Sequence, residues 1–189
     1  MSNDIIDWYP KLIYKFNYDF SNIPTELIIN KLSFDCIDLQ RGNALSSVHK
    51  NPHPHQLEEN KCFVFWMLDK CKNIFDIWEY DYKDVVVSNS WCNIHKKSGE
   101  TKEHNHGMSN LSVVSYLKKP QNSGEILFRD PLDIYKSMEP SRNISNPWRK
   151  LITKENDVLF FPGWLYHKVE KNNSNQDRIV MTYNIQITT

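Results

Sequence analysis

Apolar positions divide the chain into two regimes. Over residues 57–79 they recur at helical intervals, at Phe63, Trp66, Met67, Cys71, Ile74, Phe75 and Trp78, which predicts a helix whose stripe packs on a sheet. Pro24-Thr25-Glu26 opens a shorter helix continued by Leu27, Ile28 and Leu32, since proline is pre-organised for a first turn. Trp8 to Phe16 reads as a first strand. From Val85 onward the pattern becomes short strands and turns: Val85–Ile94, 102–106, Leu111–Leu117, Gly124–Phe128, Val158–Phe161, Tyr166–Glu170 and Arg178–Ile187. That rhythm indicates an all-β sandwich or barrel, with the two helices covering one face. Two stretches lack a period. Residues 43–56, with Pro52, Pro54 and the histidines His49, His53 and His55, read as a mobile, solvated loop. Residues 132–153, with Tyr135, Met138, Pro140, Pro147 and Trp148, read as a long connection. It is either a lid over the open end of a barrel or a structural link packed outside it.

The length of 189 residues fits one domain, 1–189, with an N-terminal part at 1–84 and a barrel core at 85–189. Lysine and arginine total 23, as do aspartate and glutamate. The balance disfavours nucleic acid or an anionic membrane as partner. No apolar run approaches the roughly 20 residues of a spanning helix, and the acidic start, Met1 to Asp7, lacks the pattern of a signal peptide. The expected location is cytoplasmic, in the host cell if the source is viral. Cys36, Cys62, Cys71 and Cys92 form no CxxC pair and read as reduced, mostly buried thiols.

The candidate chemistry lies in the histidines of the second half. His104 and His106 are two apart, so on a strand both side chains share a face. His167 follows the buried-looking Asp157–Phe161 strand and the Pro162-Gly163 turn. A barrel can bring all three together. Three imidazoles with open positions suit a catalytic first-row metal. Arg178 supplies a planar cation for a carboxylate. Metal and carboxylate clamp together suggest an oxygenase with an organic-acid cosubstrate.

Order and context sharpen this. Ser90-Trp91-Cys92-Asn93 precedes His104-Asn105-His106; a Ser-rich strand follows from Ser112 to Leu117; then come Gly124 to Pro131, Phe161 to His167, and Arg178 to Asn184. In these motifs the chain resembles the 2-oxoglutarate/Fe(II)-dependent oxygenase superfamily, and within it the small oxygenases of phage and marine bacterial genomes. The resemblance covers roughly residues 85–187. It implies a double-stranded β-helix, a jelly-roll, cupin-like barrel. It also implies Fe(II) and 2-oxoglutarate as cofactors, O₂ as cosubstrate, and hydroxylation of a prime substrate that the sequence does not identify. The implied metal site is His104, His106 and His167; Arg178, with Asn93 and Thr182, would bind the cosubstrate.

Four departures from the superfamily pattern bear on the site. His106 stands where Asp or Glu is usual, and is either a third neutral ligand or a group beside a two-histidine site. Val180 replaces a serine of the last strand, with Thr182 available to supply the hydroxyl. Val113 and Ser115 replace a glycine and a tyrosine. Two other readings stay open at this point: a non-catalytic jelly-roll binding protein, and a three-histidine oxygenase that does not use 2-oxoglutarate.

Overall fold

A computed structural model describes residues 13–36, 44–133 and 146–189. The strands are β1 (Tyr14–Asn17), β2 (Asp35–Cys36), β3 (Ala44–Ser46), β4 (Asp84–His95), β5 (Thr101–His104) and β6 (Leu111–Lys118). They continue as β7 (Ile126–Arg129), β8 (Trp148–Leu151), β9 (Asp157–Pro162), β10 (His167–Val169) and β11 (Arg178–Thr188). The helices are α1 (Thr25–Lys31) and α2 (Lys61–Ile77). A seven-stranded sheet has the order β1-β9-β6-β11-β4-β3-β2, and a four-stranded sheet the order β5-β10-β7-β8. All pairings are antiparallel. The two sheets face one another as a double-stranded β-helix, the form that the family resemblance implies for the sandwich or barrel indicated by the strand rhythm.

Period-2 alternation sorts the large sheet's side chains. On β9, Val158 and Phe160 join the cluster under the helices, while Leu159 and Phe161 join the one between the sheets. On β11, Met181, Tyr183 and Ile185 face the helices and Val180 the interior. The buried stripe of α2 is Phe63, Met67, Cys71, Ile74 and Phe75, and it packs on this outer face. Phe63 lies 5.5 Å from Tyr183 and Trp66 lies 6.2 Å from Phe160, ring centre to ring centre. Trp66 thus braces the helix on the sheet, and Trp78, just past the helix, lies 6.1 Å from the Tyr14 ring of β1.

Several expectations change. The stretch expected as a loop over 43–56 contains β3, which pairs with the long strand β4. Residues 53–60 are anchored rather than free. His53 Nδ1 lies 3.0 Å from the Ser90 carbonyl, and the His55 N–H donates to Ser90 Oγ at 3.0 Å. The Ser90 hydroxyl in turn meets His55 Nδ1 at 2.7 Å. Asn60, fully buried, donates to the Pro54 carbonyl and to the Tyr183 hydroxyl. Of this cluster, only His49 stays exposed. Residues 132–153 are not one connection, because Trp148–Leu151 adds to the edge of the small sheet against β7. Lys168 caps the Trp148 ring at 4.2 Å. Tyr135, Met138 and Pro140, which carried the lid expectation, lie outside the described residues, as does most of the strand expected at Trp8–Phe16. The cysteines are reduced, but only Cys71 and Cys92 are buried; Cys36 and Cys62 are exposed. Among the described residues no helix is long and apolar enough to cross a membrane.

The pinned His55 carries a pH signature. Burial, then the neighbouring His53, lowers its pKa. The folded protein therefore binds fewer protons there than the unfolded chain, so stability rises with pH up to about the unfolded value of 6.5 and is level above it. Acidification from about pH 7.5 to about pH 5.5 should lower the melting temperature of the metal-free protein more than that of His55→Gln. Equal drops would remove His55 from the account.

Candidate metal centre

The interior between the sheets holds a cavity with histidines at one end and Arg178 at the other. The two sheets share its lining: Trp91, Asn93 and His95 from β4 and Val180 and Thr182 from β11 face His104 of β5 and His167 of β10. Among the described residues no carboxylate lines it.

Strand register places the first two histidines. His104 and His167 are directly opposed where β5 pairs with β10, and their ring centres are 4.3 Å apart. His106 arrives differently from the expectation that one strand carries both members of the pair. β5 ends at His104, and His106 sits in the turn beyond it. That turn is tied to the one preceding His167: the His106 N–H donates to the Gly163 carbonyl at 2.8 Å. The His106 ring stacks beside His104 at 5.3 Å and against Trp91 at 5.6 Å.

The hydrogen bonds at Nδ1 then decide which nitrogen of each ring faces the centre. His104 Nδ1 meets the Lys102 carbonyl at 2.9 Å, and His167 Nδ1 meets the Leu165 carbonyl at 2.9 Å. His106 Nδ1 meets Asn184 Oδ1 at 2.6 Å. Each partner is an acceptor, so each Nδ1 carries the proton and each Nε2 the lone pair. The candidate ligand atoms of the three rings all lie within 4.8 Å of one another, and the Nε2 atoms of His106 and His167 are 3.3 Å apart. Two lone pairs that close repel unless a cation lies between them. A proton is disfavoured, because burial first, then His104 and His106, holds the pKa of His167 well below its ordinary value. A metal ion fits the donor set, and 3.3 Å is within twice the ~2.0–2.1 Å zinc–imidazole bond.

Arg178 occupies the other end, 1% exposed. Its Nη1 donates to three backbone carbonyls, those of Ser123, Gly124 (3.4 Å) and Glu170 (3.2 Å). Gly124 makes this cup possible. Its φ of +80° and a Cβ that would fall 2.6 Å from the Glu170 carbonyl both exclude a side chain. Arg178 Nε and Nη2 are buried and have no hydrogen-bond partner among the described residues. Burial draws its pKa down to about 10, so it stays charged at neutral pH. Leaving two buried donors unpaired is costly, at about 1–3 kcal/mol per group, and the two lie on one edge of the guanidinium, matched to a carboxylate.

Asn93 and Thr182, both buried, lie along the wall between these ends. Thr182 is four residues from Arg178 on the same strand face, or about 13 Å at ~3.3 Å per residue, and so belongs to the histidine end. The sequence assigned no site role to His95, Thr101, Tyr116 or Asn184, although Tyr116 and Asn184 stand within the motifs of the resemblance. His95 sits opposite Arg178 in the β4–β11 register and meets Thr101 Oγ1 at 2.8 Å. Burial pushes the Tyr116 hydroxyl up to about 12. Only the strand alternation shared with Asn93 and Arg178 pointed to the first of these.

A family model described as "Putative 2OG-Fe(II) oxygenase" matches residues 89–184. No curated protein matches the sequence. Among solved structures, the chain is similar to a prolyl-4-hydroxylase of Pseudomonas putida, with a TM-score of 0.61, 11% identity and 94% of each chain covered. It is also similar to the viral collagen prolyl hydroxylase of Paramecium Bursaria Chlorella virus-1, solved as a 2OG complex, with a TM-score of 0.61, 13% identity, and 95% of this chain and 98% of that one covered. HygX of Streptomyces hygroscopicus, solved with nickel, 2-oxoglutarate and hygromycin B, gives a TM-score of 0.62 and 10% identity, covering 93% of this chain and 83% of that one. At these identities the structures attest the fold.

Gly163 is the tightest point between the two turns that carry His106 and His167. A Cβ there would fall 2.0 Å from the Ser109 carbonyl oxygen. Gly163→Ala must push the turns apart, costing about 1–3 kcal/mol of stability and weakening Mn(II) binding in titrations of the folded variant. Unchanged stability and affinity would show that the turns are not set by this contact.

Proposed function

The chain belongs to the 2OG-Fe(II) oxygenase family matched over residues 89–184, and we propose that His104, His106 and His167 hold its iron while Arg178 receives the distal carboxylate of 2-oxoglutarate. The observation that carries the second half is the pair of buried Arg178 donors with no hydrogen-bond partner among the described residues. A dicarboxylic acid reaching from the histidines along the cavity would satisfy both. The chemistry that Fe(II) supplies when bound is the coupling of 2-oxoglutarate decarboxylation, to succinate and CO₂, with insertion of the second oxygen atom of O₂ into a substrate C–H bond.

The chain's own residues bind, orient and exclude water. The Nδ1 hydrogen bonds hold three Nε2 lone pairs toward one point. The carbonyl cup fixes the guanidinium so that only its outer edge remains to be met. Asn93 offers its amide midway, and the Thr182 hydroxyl lies by the histidines, where the 2-oxo and C1-carboxylate end would bind. Val114, Ile126 and Val169 supply apolar surface, which keeps the cosubstrate pocket poor in water and strengthens each polar contact inside it. The unpartnered guanidinium edge favours this reading over a three-histidine oxygenase that does not use 2-oxoglutarate.

Two outcomes test it. Purified protein with Fe(II), O₂ and 2-oxoglutarate should form succinate, and His104→Ala and His167→Ala should lose both turnover and specific Mn(II) binding. A folded His167→Ala that binds Mn(II) as tightly as wild type would exclude the centre. Arg178→Ala should leave Mn(II) affinity near wild type and cut 2-oxoglutarate affinity by at least about 100-fold, the equivalent of ~3 kcal/mol for a buried charge-assisted pair. Arg178→Lys should recover little, since an ammonium cannot present two parallel donors. Calorimetry giving equal 2-oxoglutarate affinity for wild type and Arg178→Ala would refute the assignment.

A further inference from the structure

The third histidine is held by a side chain, whereas the other two are held by backbone. Lys102 and Leu165 offer carbonyls to His104 and His167, but His106 Nδ1 is met by the amide oxygen of Asn184. Asn184 is itself placed with care. It stands where the β11–β4 register slips, with Asn184 opposite Asn89 and Ile185 opposite Val87. The extra residue, Ser88, donates its hydroxyl to the Asn184 carbonyl at 3.1 Å. Such bulges re-aim side chains beside functional sites. Ser112 Oγ donates to the same Oδ1 at 3.4 Å, alongside the His106 ring.

We propose that Asn184 is a positioning residue of the metal centre: it fixes His106 as a neutral third donor and, being uncharged, leaves the bound metal's full double charge for an anionic cosubstrate. This rests on the reading of His106 as a ligand. With three neutral imidazoles, an amide behind the third and no carboxylate lining the cavity among the described residues, the donor set itself leaves the charge of a divalent ion unoffset. A dianionic chelator would supply that charge. A carboxylate in place of the amide would do two opposing things. It would make His106 a more basic ligand and hold the metal tighter, and it would repel the incoming dianion.

The test measures two affinities in Asn184→Asp and Asn184→Leu, whose folding is checked by circular dichroism: Mn(II) for the protein, and 2-oxoglutarate for the Mn(II)-loaded protein without O₂. Asn184→Leu should weaken Mn(II) binding by about 10- to 100-fold, the usual cost of losing an outer-shell partner. Asn184→Asp should move the two affinities in opposite directions, Mn(II) tighter and 2-oxoglutarate weaker. A merely structural role would lower both together in both variants, and that result, or Mn(II) affinity unchanged in both, overturns the proposal. If Asn184→Asp fails to fold, Asn184→Leu decides, because it should weaken Mn(II) while leaving the 2-oxoglutarate affinity of the Mn(II)-loaded protein near wild type; if Asn184→Leu fails, the opposed shifts of Asn184→Asp decide. His106→Ala separates this inference from the reading beneath it. Should His106→Ala leave Mn(II) affinity intact, His106 is not a ligand. Should His106→Ala weaken it while the Asn184 variants do not, only the role of Asn184 falls.

Discussion

A hydrogen bond at Nδ1 of each histidine governs what the other ring nitrogen can do, and much of the interior is arranged around making those three bonds. Two of the acceptors are main-chain carbonyls two residues upstream, at Lys102 and Leu165, so local backbone shape suffices. The third has to be delivered from another strand, Asn184 of β11. The fold meets this need by closing two turns on each other at Gly163 and by slipping the register of its longest strand pair. With the protons committed outward, 3.3 Å between the His106 and His167 Nε2 atoms is a repulsive contact that a cation relieves. Burial prevents a proton from doing so easily.

The opposite end of the cavity follows a related logic with the sign reversed. Arg178 is buried and still charged, a combination that is costly unless its donors are met. Three carbonyls meet one nitrogen and leave the outer edge of the guanidinium unmet. The protein thus holds a lone-pair cluster and a cation at the two ends of one cavity, joined by a wall of small polar and apolar side chains. On the proposed function, a metal would meet the lone pairs and a dicarboxylate the guanidinium edge.

The sequence made the barrel readable because its strands are buried on alternate faces. The Leu159/Phe161 and Val158/Phe160 pairs divide between two cores as a period of two requires, and the α2 stripe is set by the same packing. The histidines and Arg178 were readable by type and order. What was not readable is long-range. That His106 lies past its strand depends on the Gly163 turn, nearly sixty residues away. That residues 53–60 are anchored depends on Ser90 and Tyr183, reached only through the fold. Strand β8 arises in a polar stretch because an edge strand needs only backbone pairing and one braced ring, not an apolar run. Asn184 closed the last motif of the resemblance but carried no role there, since its meaning lies in what it faces.

If the two ends act as one site, metal and 2-oxoglutarate must bind with positive linkage, each tightening the other by the same factor. The direct measurement is anaerobic calorimetry of 2-oxoglutarate into wild-type protein with and without saturating Mn(II), paired with the Mn(II) titration with and without 2-oxoglutarate. The account predicts that 2-oxoglutarate binds at least about tenfold tighter when Mn(II) is present, with an equal factor in the reciprocal titration. Identical 2-oxoglutarate affinity with and without the metal would contradict it.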